Sequence, residues 1–434
     1  MRFPGKRKSK HYFPVDSNER QHFNFSASLK GIDGIYVVGM DQLIVDLEAS
    51  VDDQFLETFN LTKGDSVILE DGKMESMLEQ IKREKRLRGI FAGGSIGNTL
   101  HNFAVLADTR AVALGTISDP IRVGDEAFKY ITTTHSLVDF SQLHPCAGPM
   151  GRALCLITPD GERTFAIAKG IMNELPADAI DESIIKDAGV LLVSNYVFRG
   201  TDTPIYQAAM KSLELAQKHD VPVIFAMGTR GLVAEKREWL KSIVPQYVSV
   251  VAMNEGEAEA LFAQKDPLLA VEEALNSTDL VLLTIGPKNL YIGAWVDEEF
   301  TRMTDDPIMS KSISEYNKFE YSRPMRKRDC EKPIKIYTHI NPYLGGPAII
   351  ENTNGAGDAA LAALMHDMVS NFFHSLKVPN SPKHKGKFLS YSSIHQISKY
   401  CNRVSFEVLS QHSPRLVRGL PEREDALEEA YWEL

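Results

Sequence analysis

The stretch Asn352-Thr353-Asn354-Gly355-Ala356-Gly357-Asp358 runs straight into Ala359-Ala360-Leu361-Ala362-Ala363-Leu364. Glycines and small residues, then one carboxylate, then strong helix formers predict a tight turn feeding a helix N-terminus. The N–H groups of Gly355, Ala356 and Gly357 then converge on one spot, and the helix dipole adds positive potential there. Such a nest stabilises negative charge developing on a phosphoryl group in transfer. Asp358 stands beside it, placed to orient or deprotonate an attacking hydroxyl. A carboxylate at a helix N-terminus is expected to be a weak base, so positioning and charge stabilisation would carry most of the rate. Two other readings use the same residues. One is a glycine turn with Asp358 as a helix cap. The other is a dinucleotide fingerprint, which wants an acidic residue about 20 positions on. That region reads Asn380-Ser381-Pro382-Lys383-His384-Lys385, without an acid.

A second constellation lies early in the chain. Ala92-Gly93-Gly94-Ser95-Ile96-Gly97-Asn98 precedes apolar residues at Ile96, Leu100, Phe103, Ala104 and Ala107, which share one helical face. Gly93 and Gly94 allow close approach of a ligand to the backbone. Asn98 offers a donor and an acceptor, which suits sugar hydroxyls. Ser95 is either a helix cap or part of the same substrate site. No Walker A motif is present, which excludes a P-loop mechanism.

Together, a Gly-Gly-x-x-x-Asn motif and a later Asn-Thr-x-Gly-Ala-Gly-Asp motif resemble the ribokinase-like carbohydrate and nucleoside kinases. Asn254-Glu255-Gly256-Glu257 is similar to that family's Asn-x-x-Glu element near metal and phosphates. Leu282-Leu283-Thr284-Ile285-Gly286-Pro287-Lys288 is similar to its nucleotide-side strand and turn, with Asn289 where a third glycine is usual. The resemblance covers about residues 35 to 420. It implies Asp358 as base, Gly355, Ala356 and Gly357 as the anion nest, and Asn254, Thr284 and Gly286 on the nucleotide side. Glu257 would act on Mg²⁺ through water, with ATP as donor and room for a monovalent cation. Gly93, Gly94, Ser95 and Asn98 would hold the sugar together with an acidic residue. Asp46 fills that acidic role if two residues are inserted after Gly39, and Asp41 competes for it. Arg199, with Tyr196 nearby, follows a strand and either meets base or phosphate or is a surface arginine. The terminal runs Phe3-Pro4-Gly5-Lys6-Arg7-Lys8-Ser9-Lys10-His11-Tyr12-Phe13-Pro14 and Gln411-His412-Ser413-Pro414-Arg415-Leu416 resemble the subgroup acting on 6-oxopurine nucleosides. So does Arg418-Gly419-Leu420-Pro421-Glu422-Arg423-Glu424-Asp425. That subgroup uses Mg·ATP to phosphorylate the 5′-hydroxyl of inosine and guanosine in purine salvage. Adenosine or a free sugar as acceptor, or a silent nucleoside-binding regulator, are the alternatives.

The elements that must position these residues are legible as well. Short, nearly continuous apolar runs read as buried parallel strands at Tyr36–Val38, Val112–Leu114, Val190–Val193, Val221–Phe225, Val248–Val251 and Leu280–Thr284. Helical segments such as Thr203–His219 and Glu255–Phe262 alternate with them. This predicts a doubly wound α/β fold with helices on both faces and ligands at the strand carboxyl ends. Alternating Leu43, Val45, Leu47, Ala49 and Val51 (within 41–53), and a hairpin within 150–170 turning at Pro159-Asp160-Gly161, predict a small β-sheet lid. In the family such a lid covers the sugar and can join a homodimer. Residues 31–434 are read as one kinase domain, preceded by a basic, polar arm at 1–30. Residues 301–347 read as a packed insertion, with Arg323, Arg326, Lys327 and Arg328 as a solvated face. The segment 375–388 reads as a surface loop.

Composition bounds the rest. Hydrophobic residues make up 43% and charged residues 24% of 434, enough for a sizeable core. A net charge of −10 argues against a general nucleic-acid binder. Cys146, Cys155, Cys330 and Cys401 form no Cys-x-x-Cys and read as reduced residues of a cytoplasmic protein. No apolar run is long enough to span a membrane, and none follows the basic start as a signal peptide would require.

Overall fold

The computed structural model describes residues 35–420 except 65, 287–288, 306–309, 314–315, 320, 341–349, 351–352 and 418. The arm at 1–30, Asn352, Pro287-Lys288, the end of the expected insertion and residues 421–425 therefore lie outside the described residues. Along the chain the strands are β1 (Val37–Met40), β2 (Ile44–Ser50), β3 (Ser66–Leu69), β4 (Leu87–Ala92), β5 (Ala111–Leu114), β6 (Thr116–Ser118), β7 (Val138–Asp139) and β8 (His144–Cys146). They continue as β9 (Gly151–Ile157), β10 (Arg163–Ala168), β11 (Val190–Ser194), β12 (Val223–Ala226), β13 (Val250–Asn254), β14 (Leu280–Ile285), β15 (Asn289–Asp297) and β16 (Pro333–Ile340).

Nine strands form the central sheet in the order β16-β15-β14-β13-β12-β11-β1-β5-β7. Every pairing from β14 to β7 is parallel, and β15 runs antiparallel to both its neighbours. The apolar runs are continuous because successive residues feed two different cores. Val190, Leu192 and Ile224 pack on one face, under the helices Ser95–Ala107, Ala356–Lys377 and Ile394–Leu409. Leu191, Val193 and Phe225 pack on the other, under Pro204–Lys218 and Arg237–Tyr247. A strand buried on both faces has no polar position to spare. All six expected strand runs lie in this sheet. The helix Pro204–Lys218 falls inside the expected range with Thr203 as its N-cap residue, and Glu255–Phe262 forms as expected.

A separate five-stranded sheet, β3-β10-β9-β2-β4, contains both segments of the expected lid. The expected alternation is visible in β2. Val45, Leu47 and Ala49 are buried against Met74, Met77 and Ile81 of the helix Asp71–Arg83, while Asp46 and Glu48 face the cleft. β9 and β10 form the expected hairpin.

The charged segment after residue 301 is more deeply built in than a solvated face. Its residues 333–340 are β16 itself. Arg323 donates to the Ser390 carbonyl and to Asn371 Oδ1. Arg326, only 8% exposed, pairs with Asp220 beside Arg328, and Lys327 sits 4.4 Å above the Trp295 ring. These cations fasten the segment to the body, which uses the charges that a nucleic-acid patch would need. The expected loop at 375–388 begins with the end of the helix Ala356–Lys377 and contains a 3₁₀ turn at Pro382–His384. Among the described residues, the four cysteines are free and no helix is long and apolar enough to cross a membrane.

Candidate active site

The late motif does make a turn into a helix. Gly355, at φ +78°, is the N-cap residue of Ala356–Lys377. A Cβ there would come within 2.5 Å of the Pro414 carbonyl oxygen, so both conformation and space require glycine. Gly357 faces open space. The first amides of a helix have no carbonyl partner within it, so this N-terminus is an anion-accepting nest. Asp358 does not cap the helix. Its Oδ1 accepts from Ser95 Oγ at 2.6 Å and its Oδ2 from Asn98 Nδ2 at 3.1 Å. The early and late motifs are thus joined at one buried carboxylate, which does not itself line the cavity that Asp46 lines.

Ser95 and Asn98 reach Asp358 from the first turn of the helix Ser95–Ala107. Gly93 and Gly94 precede it. A Cβ on Gly93 would overlap the Asp46 carboxylate, so Asp46 packs directly on that backbone. Asp46 lines a cavity of about 190 Å³ with Glu48, Phe91, Ala153, Cys155 and Phe165 from the lid, and with Asn98, Asn354 and Pro414 opposite. Asp41 is placed differently. It is 2% exposed at the end of β1, its Oδ2 accepts from the Ile96 amide at 3.2 Å, and it does not line the cavity. Its Oδ1 is buried without a partner.

The residues expected on the nucleotide side also meet. Asn254 and Thr284 are neighbours across β13 and β14, and Gly286 follows at φ +43°. Glu257 and Asn254 form a capping box. Glu257 Oε2 accepts from the Asn254 amide at 3.0 Å, Oε1 accepts from Asn254 Nδ2 at 2.6 Å, and Asn254 Oδ1 accepts from the Glu257 amide. Arg199 caps the 3₁₀ turn after β11 and stacks on the Tyr196 ring at 5.4 Å. Among the described residues no cluster of three or more His, Cys, Asp or Glu could hold a metal by itself. A single Glu257 suits Mg²⁺ that arrives with nucleotide, since this ion keeps its waters and phosphate oxygens as ligands.

Burial dominates the electrostatics. It raises Asp358 to about 6, above the weak base expected at a helix N-terminus, because enclosure outweighs the hydrogen bonds from Ser95 and Asn98 and the Arg415 charge. Burial likewise raises Asp41, Asp46 and Glu257, each to about 7, and the Asp358 charge pushes all three further up. Tyr196 feels Asp41, Glu257 and Asp358 together and is raised well above its usual range, chiefly by burial.

This has a consequence for stability. Asp41 binds a proton more tightly folded than unfolded, so its contribution is present below about pH 4 and is lost as pH rises through about 7. Asp41→Asn is therefore expected to gain thermal stability over the unmutated protein at about pH 8 and to lose that advantage at about pH 5. Melting curves of the ligand-free proteins at both pH values check this, and an equal difference at both would refute it.

Four contributors escaped the sequence reading: Arg415, Tyr130 and the lid residues Phe91 and Phe165. Arg415 lay inside the run Gln411–Leu416, which carried resemblance but no role. It is 4% exposed and donates from Nε to Asn98 Oδ1 at 2.8 Å and from a terminal nitrogen to Thr134 Oγ1 at 2.6 Å. Tyr130 donates to the Gly93 carbonyl at 3.1 Å and lies under the Arg415 guanidinium.

A helix N-terminus entered through glycine and a carboxylate that lines a cavity lie together beside a covered parallel sheet, and comparison with known proteins gives the class as a small-molecule kinase. The model of the pfkB family carbohydrate kinases matches residues 89–301. The guanosine-inosine kinase of Escherichia coli (strain K12) is 48% identical over 434 residues, 100% of both chains. The adenosine kinase of Sinorhizobium meliloti has a similar fold, with a TM-score of 0.62 and 20% identity over 89% of this chain and 97% of that one. A probable sugar kinase from Rhizobium etli has a TM-score of 0.63 and 18% identity over 91% and 97%. The chain belongs to the pfkB family of carbohydrate kinases and has its ribokinase-like fold. Within that family its full-length likeness is to guanosine-inosine kinase.

Proposed function

We propose that this protein is a purine nucleoside kinase that transfers the terminal phosphoryl group of Mg·ATP to the 5′-hydroxyl of inosine and guanosine, giving IMP and GMP for purine salvage. The observation that carries the reading is one cavity with Asp46 on its lid wall and Asn98 opposite, where Asn98 also holds Asp358 at the helix N-terminus. The choice of base rests on the 48% identity to guanosine-inosine kinase.

In this mechanism the ribose hydroxyls donate to Asp46, with Asn98 beside them. The flat apolar faces of the purine suit Phe91 and Phe165 across the lid. Asp358 aligns the 5′-hydroxyl and accepts its proton. With a pKa of about 6 it is ionised at neutral pH yet basic enough to take that proton as the oxygen attacks. The amides at Gly355–Gly357 hold the negative charge of the transferring group. Glu257 would hold the water shell of a Mg²⁺ ion brought by ATP, which would supply charge neutralisation at the phosphates. The lid excludes bulk water, which would otherwise compete as acceptor. Its edge strand β3 exposes Val67 and Ile68, and we assign to that apolar edge the homodimer contact expected from the family.

A phosphorylation screen of inosine, guanosine, adenosine, ribose and fructose with Mg·ATP tests the assignment. Inosine and guanosine are expected to have the highest kcat/KM. A higher value for adenosine or ribose would overturn the 6-oxopurine preference, and no transfer to any acceptor would overturn the kinase reading.

A further inference from the structure

The C-terminal segment Ser413–Leu416 is strapped across the helix that carries the early motif. The Leu416 amide donates to Asn102 Oδ1 at 2.7 Å, and its carbonyl accepts from His101 Nε2 at 2.9 Å. His101 receives the His135 amide on Nδ1, and burial lowers its pKa to about 3, so the ring stays neutral and keeps the strap fastened. Asn98, His101 and Asn102 lie on one helical face, and Arg415 enters between that face and Tyr130.

The chemistry of this contact is directional. An amide side chain can be turned either way, but a guanidinium only donates. Arg415 Nε binding Asn98 Oδ1 therefore dictates that Asn98 presents its NH₂ to Asp358 Oδ2. With the amide turned over, two acceptors would face each other at Asp358 and two donors at Arg415. We propose that Arg415 is a positioning residue for phosphoryl transfer: by fixing the amide of Asn98 it aims the Asp358 carboxylate at the attacking hydroxyl. The inference rests on Asp358 being the base. Arg415 also acts through its charge, which lowers both Asp358 and Asp46 against the burial that raises them. Among the described residues, Asp41 at the end of β1, Asp46 on the lid, Glu257 after β13 and Tyr196 after β11 are each raised by the Asp358 charge, so none of them supplies the cation that Arg415 does. The remaining anchors of Arg415, on Thr134, Tyr130 and the Gly93 carbonyl, hold the guanidinium in plane.

The test compares kcat against pH at saturating nucleoside and Mg·ATP for the unmutated protein and for Arg415→Met, Arg415→Lys, Thr134→Val and Asp358→Asn. Arg415→Met is expected to lower kcat about 10- to 100-fold and to leave the KM for ATP near its unmutated value. Its acid limb should move up by about one pH unit or more, because the carboxylate loses its cation. Arg415→Lys keeps the charge and loses the fork, so its limb should return towards the unmutated position while kcat stays low. Thr134→Val removes one anchor of the guanidinium but leaves its charge beside Asp358, so the limb should stay in place. An unshifted limb in Arg415→Met, or an unmutated kcat in Arg415→Lys, overturns the inference. If Arg415→Met does not fold, the kcat of Arg415→Lys decides alone. Asp358→Asn separates the two claims: near-normal turnover there refutes the base, whereas lost turnover there with an unshifted Arg415→Met limb refutes only the positioning role.

Discussion

Asp358→Asn is expected to fold, to bind nucleoside and Mg·ATP, and to lose turnover by on the order of 10²-fold or more. The hydrogen bonds allow the substitution in one orientation only. Asn98 Nδ2 must still meet an acceptor, so the new carbonyl oxygen takes the Oδ2 position. The new NH₂ then faces Ser95, whose hydroxyl turns from donor to acceptor. No buried donor is orphaned, and Gly355 caps the helix in either case. Removing the charge also relieves Asp41, Asp46 and Glu257, all of which Asp358 raises. Stability at neutral pH should therefore hold or rise. An amide cannot take the proton of the 5′-hydroxyl, so the loss belongs in kcat. Calorimetry of nucleoside binding with steady-state rates checks the split. Near-normal kcat would reduce Asp358 to a hydrogen-bonding post for Ser95 and Asn98.

The central sheet was readable at β1, β5 and β11 to β14 because those strands are apolar on both faces, a pattern local enough to see in four or five residues. The lid was half readable. β2 alternates and β9–β10 turns at Pro159-Asp160-Gly161, but Ser66–Leu69 and Leu87–Ala92 are strands only because that hairpin and β2 pair with them. β16 was hidden inside a charged segment for a similar reason: its burial pattern is mixed, and its partner β15 supplies the register. Motif residues on turns were legible because φ, close approach and helix capping restrict residue type at single positions. Arg415 was not, because its importance lies in a contact 317 positions away in sequence, with Asn98. The pKa of Asp358 was misjudged for the same cause. A helix N-terminus is visible in sequence, whereas the enclosure that raises the carboxyl is assembled from the lid, the strap and two strand ends.

The choice between Asp46 and Asp41 gives the other large effect. Asp46→Ala should lower kcat/KM for nucleoside by about 2–4 kcal/mol, roughly 30- to 1000-fold, because two ribose hydroxyls would lose their acceptor in an enclosed site. ATP binding should be spared, since the nucleotide-side residues lie at the ends of β13 and β14 while Asp46 lies on the lid. Stability should not fall with activity. Burial raises Asp46 to about 7, which means that the folded protein holds this charge at a cost at neutral pH. A variant with an unchanged or higher melting temperature and a crippled kcat/KM is the signature of a binding carboxylate. Asp41→Ala should show the reverse. It leaves the Ile96 amide without its acceptor and opens a small space behind β1, so stability responds while kcat/KM stays within a few-fold. Equilibrium melting and kinetics on the two variants, side by side, decide the matter. If Asp41→Ala loses nucleoside use and Asp46→Ala does not, the two-residue insertion after Gly39 is misplaced and the ribose sits deeper, against the end of β1.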